Sequence, residues 1–116
     1  MHGTYVELQC TGTYTLESSL QVFEQAFVIA AREARGAVLV DIRLLAGSPP
    51  TFGERYDQGV LVAKLQSAQA PRIRLAVLGR EPMVHPERVG EIVAVSRGAL
   101  ARVFTDQDEA VAWVSA

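Results

Sequence analysis

Cysteine is nearly missing from this chain of 116 residues: Cys10 is the only one, so no intramolecular disulfide can staple the fold. Lysine is equally scarce, with Lys64 alone beside ten arginines, and a formal net charge of -2 offers no concentrated cationic surface for nucleic acid, which is bound by displacing counterions from phosphates. No apolar stretch approaches the ~20 residues that cross a bilayer, and no basic segment leads into an apolar export core. Membrane insertion is therefore not expected, and the cytoplasm is the expected compartment. Histidine occurs only at His2 and His85, which makes a two-histidine metal site improbable. A G-x-G-x-x-G turn, a Walker loop, a G-x-S-x-G elbow and a zinc-ligand cluster are all missing, so nucleotide, hydrolase and metal readings lack their minimal apparatus. No cofactor and no catalytic residue is expected.

What is there suits a single domain over residues 1–116. Nearly half of the residues are apolar (49%) and 21% are charged, enough to build a core and too apolar for a disordered chain. Residues 5–10 alternate, with Val6, Leu8 and Cys10 on one side, which predicts a half-buried strand near an edge. After Gly12, the spacing of Leu16, Leu20, Phe23, Phe27, Ala30 and Ala34 predicts an amphipathic helix capped by Thr15 and stopped by Gly36. Residues 37–42 are apolar on both faces apart from Asp41, the pattern of a central strand. Thr51 and Glu54 have capping-box spacing and predict a helix to about Ala68. A second buried strand covers 72–79, and Pro86 suits the first turn of a third helix that ends at Gly98. Residues 101–104 form the last strand, and Thr105 or Asp106 caps a last helix whose apolar side is Ala110, Val111, Trp113 and Val114. The predicted class is α/β, a mixed sheet of about four to five strands with largely parallel βαβ connections and about four flanking helices, the first strand being open to an antiparallel placement.

In such sheets ligands gather beyond the carboxyl ends of the strands. Candidate contacts there are Asp41, Arg43, Arg80 and His85: a carboxylate, two guanidinium groups suited to anions, and an imidazole at a helix start. Each has a plainer reading, since strand-end Asp residues often form turns and exposed Arg residues often make only weak pairs. Leu44 and Leu45 belong to a stiffened 43–52 loop where they offer a contact patch, a lid over a cavity, or an inward tuck. Phe52 and Tyr56 either extend that patch across a dimer axis or join the core. Cys10 reads as a small hydrophobe.

Gly12-Thr13-Tyr14-Thr15 before a long helix, strands closing on Leu39-Val40-Asp41-Ile42-Arg43 and Leu75-Ala76-Val77-Leu78, then Ser96-Arg97-Gly98 and the run RVFTDQDEAVAWV from Arg102 resemble the SpoIIAA-like proteins, small bacterial STAS or SEC14-type domains. The resemblance implies a helix-flanked mixed sheet without established catalytic residues. STAS-type anti-sigma-factor antagonists carry an Asp-Ser-Ser-Gly-like phosphorylation motif where this chain has Gly47-Ser48-Pro49-Pro50-Thr51. Ser48 and Thr51 are accordingly candidate phosphorylation sites, without the Asp-Ser pair. SEC14-type relatives bind lipids in an apolar cavity but are larger. The expected function is a non-enzymatic protein-interaction or regulatory module, partnered by a second copy in a homodimer or by a regulatory protein. The alternative is a carrier or sensor of a small apolar, lipid-like or anionic ligand. A third reading, an enzyme, needs Asp41 to converge with His85 or Arg80.

Overall fold

A computed structural model describes residues 4–69 and 72–116. Strands and helices alternate as β1 (Tyr5–Thr13), α1 (Leu16–Arg32), β2 (Ala37–Ala46), α2 (Phe52–Ser67), β3 (Arg74–Leu78), α3 (Val89–Ser96), β4 (Ala101–Phe104) and α4 (Gln107–Ser115). The strands lie side by side in chain order, β1-β2-β3-β4, and every pairing is parallel. The sheet is thus not mixed. A helix stands between each pair of consecutive strands, and such a crossover returns the chain to run alongside its starting strand, β1 included.

Topology also distributes the helices. Three crossovers of one hand, each stepping one strand in the same direction, place α1, α2 and α3 on one face of the sheet. There Ala26, Phe27 and Ala30 of α1, Val62 and Ala63 of α2 and Ala94 of α3 close over Val6, Val38, Val40 and Leu75. No strand follows α4, which is free to fold back across the other face, where Ala110 and Val114 meet Ala37, Leu39, Ala76, Leu78 and Phe104. Period-2 alternation in β2 and β3 feeds both layers, so a central strand has to be apolar on both sides.

Local chemistry sets the element ends. The Thr15 Oγ1 accepts the Ser18 N–H at 3.1 Å and starts α1. The helix stops at Arg32 rather than running to Gly36: Ala34 takes a left-handed φ of 54°, and the Arg35 N–H reaches back to the Ala30 carbonyl at 2.8 Å. This is Schellman-type closure with an alanine where glycine is usual. At α2 the capping box is complete, the Glu54 N–H donating to Thr51 Oγ1 at 3.1 Å and the Thr51 N–H to Glu54 Oε1 at 2.9 Å. α3 starts at Val89, three residues after Pro86, because a turn at residues 86–87, closed by the Arg88 N–H on the His85 carbonyl at 2.9 Å, and left-handed Arg88 (φ 53°) intervene. Asp106 caps α4 by accepting the Glu109 N–H at 3.0 Å.

Two departures shape the functional edge. β2 runs to Ala46, so Leu44 and Leu45 belong to a strand and not to a loop. Between the pairs Gln9/Asp41 and Thr11/Leu44, β2 carries one residue more than β1, a bulge that bends the strand and re-aims its side chains. Deeper in the molecule, Gln66 joins α2 to the sheet: its Nε2 donates to the carbonyls of Ile73 (2.9 Å) and Leu100 (2.8 Å), and its Oε1 accepts the Leu100 N–H at 2.6 Å.

Candidate functional site

The sequence-derived candidates separate onto the two faces of the sheet. Asp41 follows Ala37 and Leu39 onto the α4 face and is only 2% exposed. Its Oδ1 accepts the Arg43 backbone N–H and Nε–H, both at 3.0 Å, and its Oδ2 accepts Arg43 Nη2 at 2.8 Å. Those Arg43 hydrogen bonds hold the Asp41 carboxyl below its ordinary range against the opposing effect of burial, helped by the charge of Arg80. Arg43 Nη1 makes a further, longer bond of 3.4 Å to Gln107 Oε1 at the start of α4. An ion pair between residues two apart, closed on itself this way, fixes β2 at its bulge and engages both carboxylate oxygens, which argues against acid–base work. Arg80 is exposed.

His85 lies on the opposite, three-helix face, so the sheet separates it from Asp41. It belongs to a cavity of ≈ 110 Å³ roofed by α2, α3 and the 83–85 turn over the C-terminal parts of the strands. The floor is apolar: Ile42 and Leu45 of β2, Val77 of β3, Ala101 and Val103 of β4, with Phe23 of α1 closing one side. The bulge brings both Ile42 and Leu45 to this wall, while Leu44 between them is 58% exposed. Of the two leucines, one lines a cavity and one faces outward.

Two glycines allow the walls to close. At Gly59 of α2 an added Cβ would lie 2.6 Å from the Gly90 carbonyl oxygen and 2.8 Å from Val93 Cβ, so α2 and α3 cross in near contact only because the side chain is missing. At Gly79 a Cβ would meet Val84 Cγ2 at 2.6 Å and Ile42 Cγ1 at 2.8 Å, which lets the turn before α3 fold down against β2.

Several polar groups also line the cavity. Gln58 Nε2 donates to Tyr14 Oη and Ser19 Oγ, both at 3.1 Å. Burial pushes the Tyr14 phenol up, with the Glu54 charge adding to it, so it stays protonated. Arg55, 8% exposed, donates Nη1 to the Met83 carbonyl and Nη2 to the Pro82 carbonyl, both at 3.0 Å. No carboxylate among the described residues forms an ion pair with it, and burial depresses its pKa. His85 Nδ1 accepts the Glu87 N–H at 3.0 Å, which leaves the ring proton of the neutral tautomer on Nε2. Arg88 lines the cavity too, caps α3 with no side-chain hydrogen bond, and has no ion pair among the described residues. Glu91 is the one carboxylate of the lining, and its Oε1 is committed to the Val103 N–H at 2.6 Å.

Arg55, Gln58 and Arg88 carry no signal in the sequence. Within α2, Arg55 and Gln58 look like exposed positions of an amphipathic helix, and only the crossing with α3 and the returning turn enclose them. Ser48 is exposed, whereas Thr51 is occupied as the α2 cap. Phe52 and Tyr56 are not core residues: they are 71% and 42% exposed, and Arg97 covers the Tyr56 ring at 5.2 Å while donating to its hydroxyl at 2.8 Å. Cys10 packs against the three-helix core, where burial and then the Asp41 charge push its thiol up, away from the reactive thiolate. His2 lies outside the described residues, and among these no cluster of three metal-ligating side chains occurs. No described helix is long and apolar enough to cross a membrane.

Compared with protein-family models, with curated proteins and with solved structures, the chain matches none.

Proposed function

We propose that this protein is a non-enzymatic binding module of the SpoIIAA-like, STAS or SEC14-type kind that carries or senses a small, largely apolar ligand. The observation that carries the reading is the ≈ 110 Å³ cavity, apolar over most of its wall with a few polar side chains in its lining, at the strand edge where α/β folds hold ligands. The cavity is about half enclosed, open enough on one side to admit a small ligand without unfolding its walls. Closure of Asp41 onto Arg43, on the far face from His85, argues for binding rather than turnover.

Titration of isotope-labelled protein with 1-butanol, followed by backbone amide NMR, tests this. Shifts confined to the residues around Val77, His85, Val89 and Ala101 are expected. Shifts scattered over the surface, or none at millimolar probe, refute it.

The second reading, an interaction module working as a homodimer or with a regulatory protein, draws support from one observation. Phe52 on α2 and Ile92 on α3 are 71% and 59% exposed. Sedimentation velocity across a hundredfold concentration range tests the homodimer, and a constant monomer coefficient counts against it.

A further inference from the structure

Resting on the ligand-site reading, we infer that the cavity is built for a short-chain carboxylate, its head group taken by Arg55, Arg88 and the His85 Nε2–H and its tail by the apolar floor. Charge comes first. Arg55 is a guanidinium 8% exposed, held by two backbone carbonyls and by no carboxylate among the described residues. A buried cation of this kind is costly until an anion joins it, and an arginine has five donors, of which the two carbonyls occupy two. Arg88 lines the same cavity and forms no ion pair among the described residues, and the two elements meet where Gly90 approaches the Arg55 carbonyl, 3.4 Å from where its Cβ would be. His85 adds a donor at Nε2, because its Nδ1 is occupied by the Glu87 N–H.

The opposing charge is accounted for. Glu91 lines the cavity with one oxygen bound to the Val103 N–H, and the Arg102 guanidinium is stacked on Phe104, 5.3 Å from the ring centroid. The lining thus holds three arginines, Arg55, Arg88 and Arg102, against the one carboxylate of Glu91, while Glu54, outside the lining, also acts on Arg55 through its charge.

Size and wall chemistry then select among anions. A cavity of about 150 Å³ accepts benzene, so one of ≈ 110 Å³ takes on the order of four to six heavy atoms. A long acyl chain is too large. Inorganic phosphate would set oxygens against Val77 and Ala101, which offer them no donors. A three- or four-carbon carboxylate satisfies both ends, since planar guanidinium–carboxylate pairing supplies the charge and the alkyl tail covers the apolar wall.

The test uses the full chain and three probes, sodium butyrate, 1-butanol and inorganic phosphate, with amide NMR as the readout. Butyrate is expected to bind at least about tenfold more tightly than butanol, as a charge-assisted hydrogen bond implies, and more tightly than phosphate. Arg88→Gln is expected to bring the butyrate-to-butanol ratio toward one. His85→Gln, which keeps Arg88 itself and so avoids substituting a residue with a left-handed backbone, is expected to lower the ratio in the same direction. Equal affinity for butyrate and butanol overturns the carboxylate assignment while leaving the apolar site standing. Phosphate binding as tightly as butyrate overturns the role of the tail. Absence of binding by every probe overturns the ligand-site reading and this inference with it.

Discussion

Gly53 and Gly59 lie in the same helix, α2, and replacing each by alanine should move stability in opposite directions. In an unobstructed helix, glycine to alanine gains about 0.5–1 kcal/mol by restricting the unfolded chain. Nothing lies within 4 Å of a Cβ built on Gly53, so Gly53→Ala should show that gain in full. At Gly59 the new methyl would be 2.6 Å from the Gly90 oxygen and 2.8 and 2.9 Å from Val93 Cβ and Cγ1. Carbon contacts prefer about 3.5–4.0 Å, so α3 has to move by roughly 1 Å. Overpacking of that kind costs about 1–3 kcal/mol, and a clash with backbone on a neighbouring helix belongs at the upper end. Setting about 3 kcal/mol against a propensity gain of about 1 leaves Gly59→Ala destabilised by about 2 kcal/mol, and the two variants about 3 kcal/mol apart. Urea unfolding followed by the single tryptophan, Trp113, reads this directly. With a slope of about 1.5 kcal/mol per molar, the midpoints should differ by about 2 M. If Gly59→Ala is stabilised as much as Gly53→Ala, the close α2–α3 crossing, and with it the roof of the cavity, is wrong.

Three further outcomes follow from individual groups. The Asp41 carboxyl lies below its ordinary value of 3.8, so its contribution to stability is present above that pH and is lost as pH falls through the lower folded value; Asp41→Asn should narrow its stability deficit relative to wild type as pH drops from 5 to 3, and a deficit constant over that range refutes the ion-pair account. Ala34→Gly, at a left-handed φ of 54°, should raise the thermal midpoint by a few degrees, equivalent to about 1 kcal/mol, and a lowered midpoint contradicts the closure described for α1. Gln66→Leu keeps the volume but strands the Ile73 carbonyl and the Leu100 N–H, the Leu100 carbonyl keeping the Leu75 N–H at 3.0 Å, so a loss of about 2–4 kcal/mol in urea is expected; a loss under about 1 kcal/mol refutes the role of this side chain.

Features carried by neighbouring residues were readable in the sequence. The Thr51–Glu54 box, the Thr15 and Asp106 caps and the two-sided apolar pattern of residues 37–40 depend on contacts within a few positions or on strand periodicity, and each is found where the pattern put it. The stop of α1 was misplaced by rule: glycine is favoured in the left-handed position, but here the hydrogen bonds close over Ala34. The extent of β2 was hidden because residues 44–46 precede a Gly-Ser-Pro-Pro turn and join the sheet through a bulge, a mismatch between two strands that neither sequence states. Phe52 and Tyr56 have core-like spacing, yet α3 covers the side of α2 marked by Gly59 instead.

By itself the sequence determined the alternation of strands and helices and the caps, because these follow from periodicity and local hydrogen bonding. Only the tertiary structure decided what stands beside what. It put Asp41 and Arg43 on one face of the sheet and His85 on the other, and it drew Arg55, Gln58 and Arg88 around a space that no single segment encloses. The physical reason is that a cavity and the pairing of a buried charge are properties of surfaces brought together by chain crossovers. Their ingredients, an arginine in one helix and a glycine facing another, look ordinary until the sheet has set the distance between them.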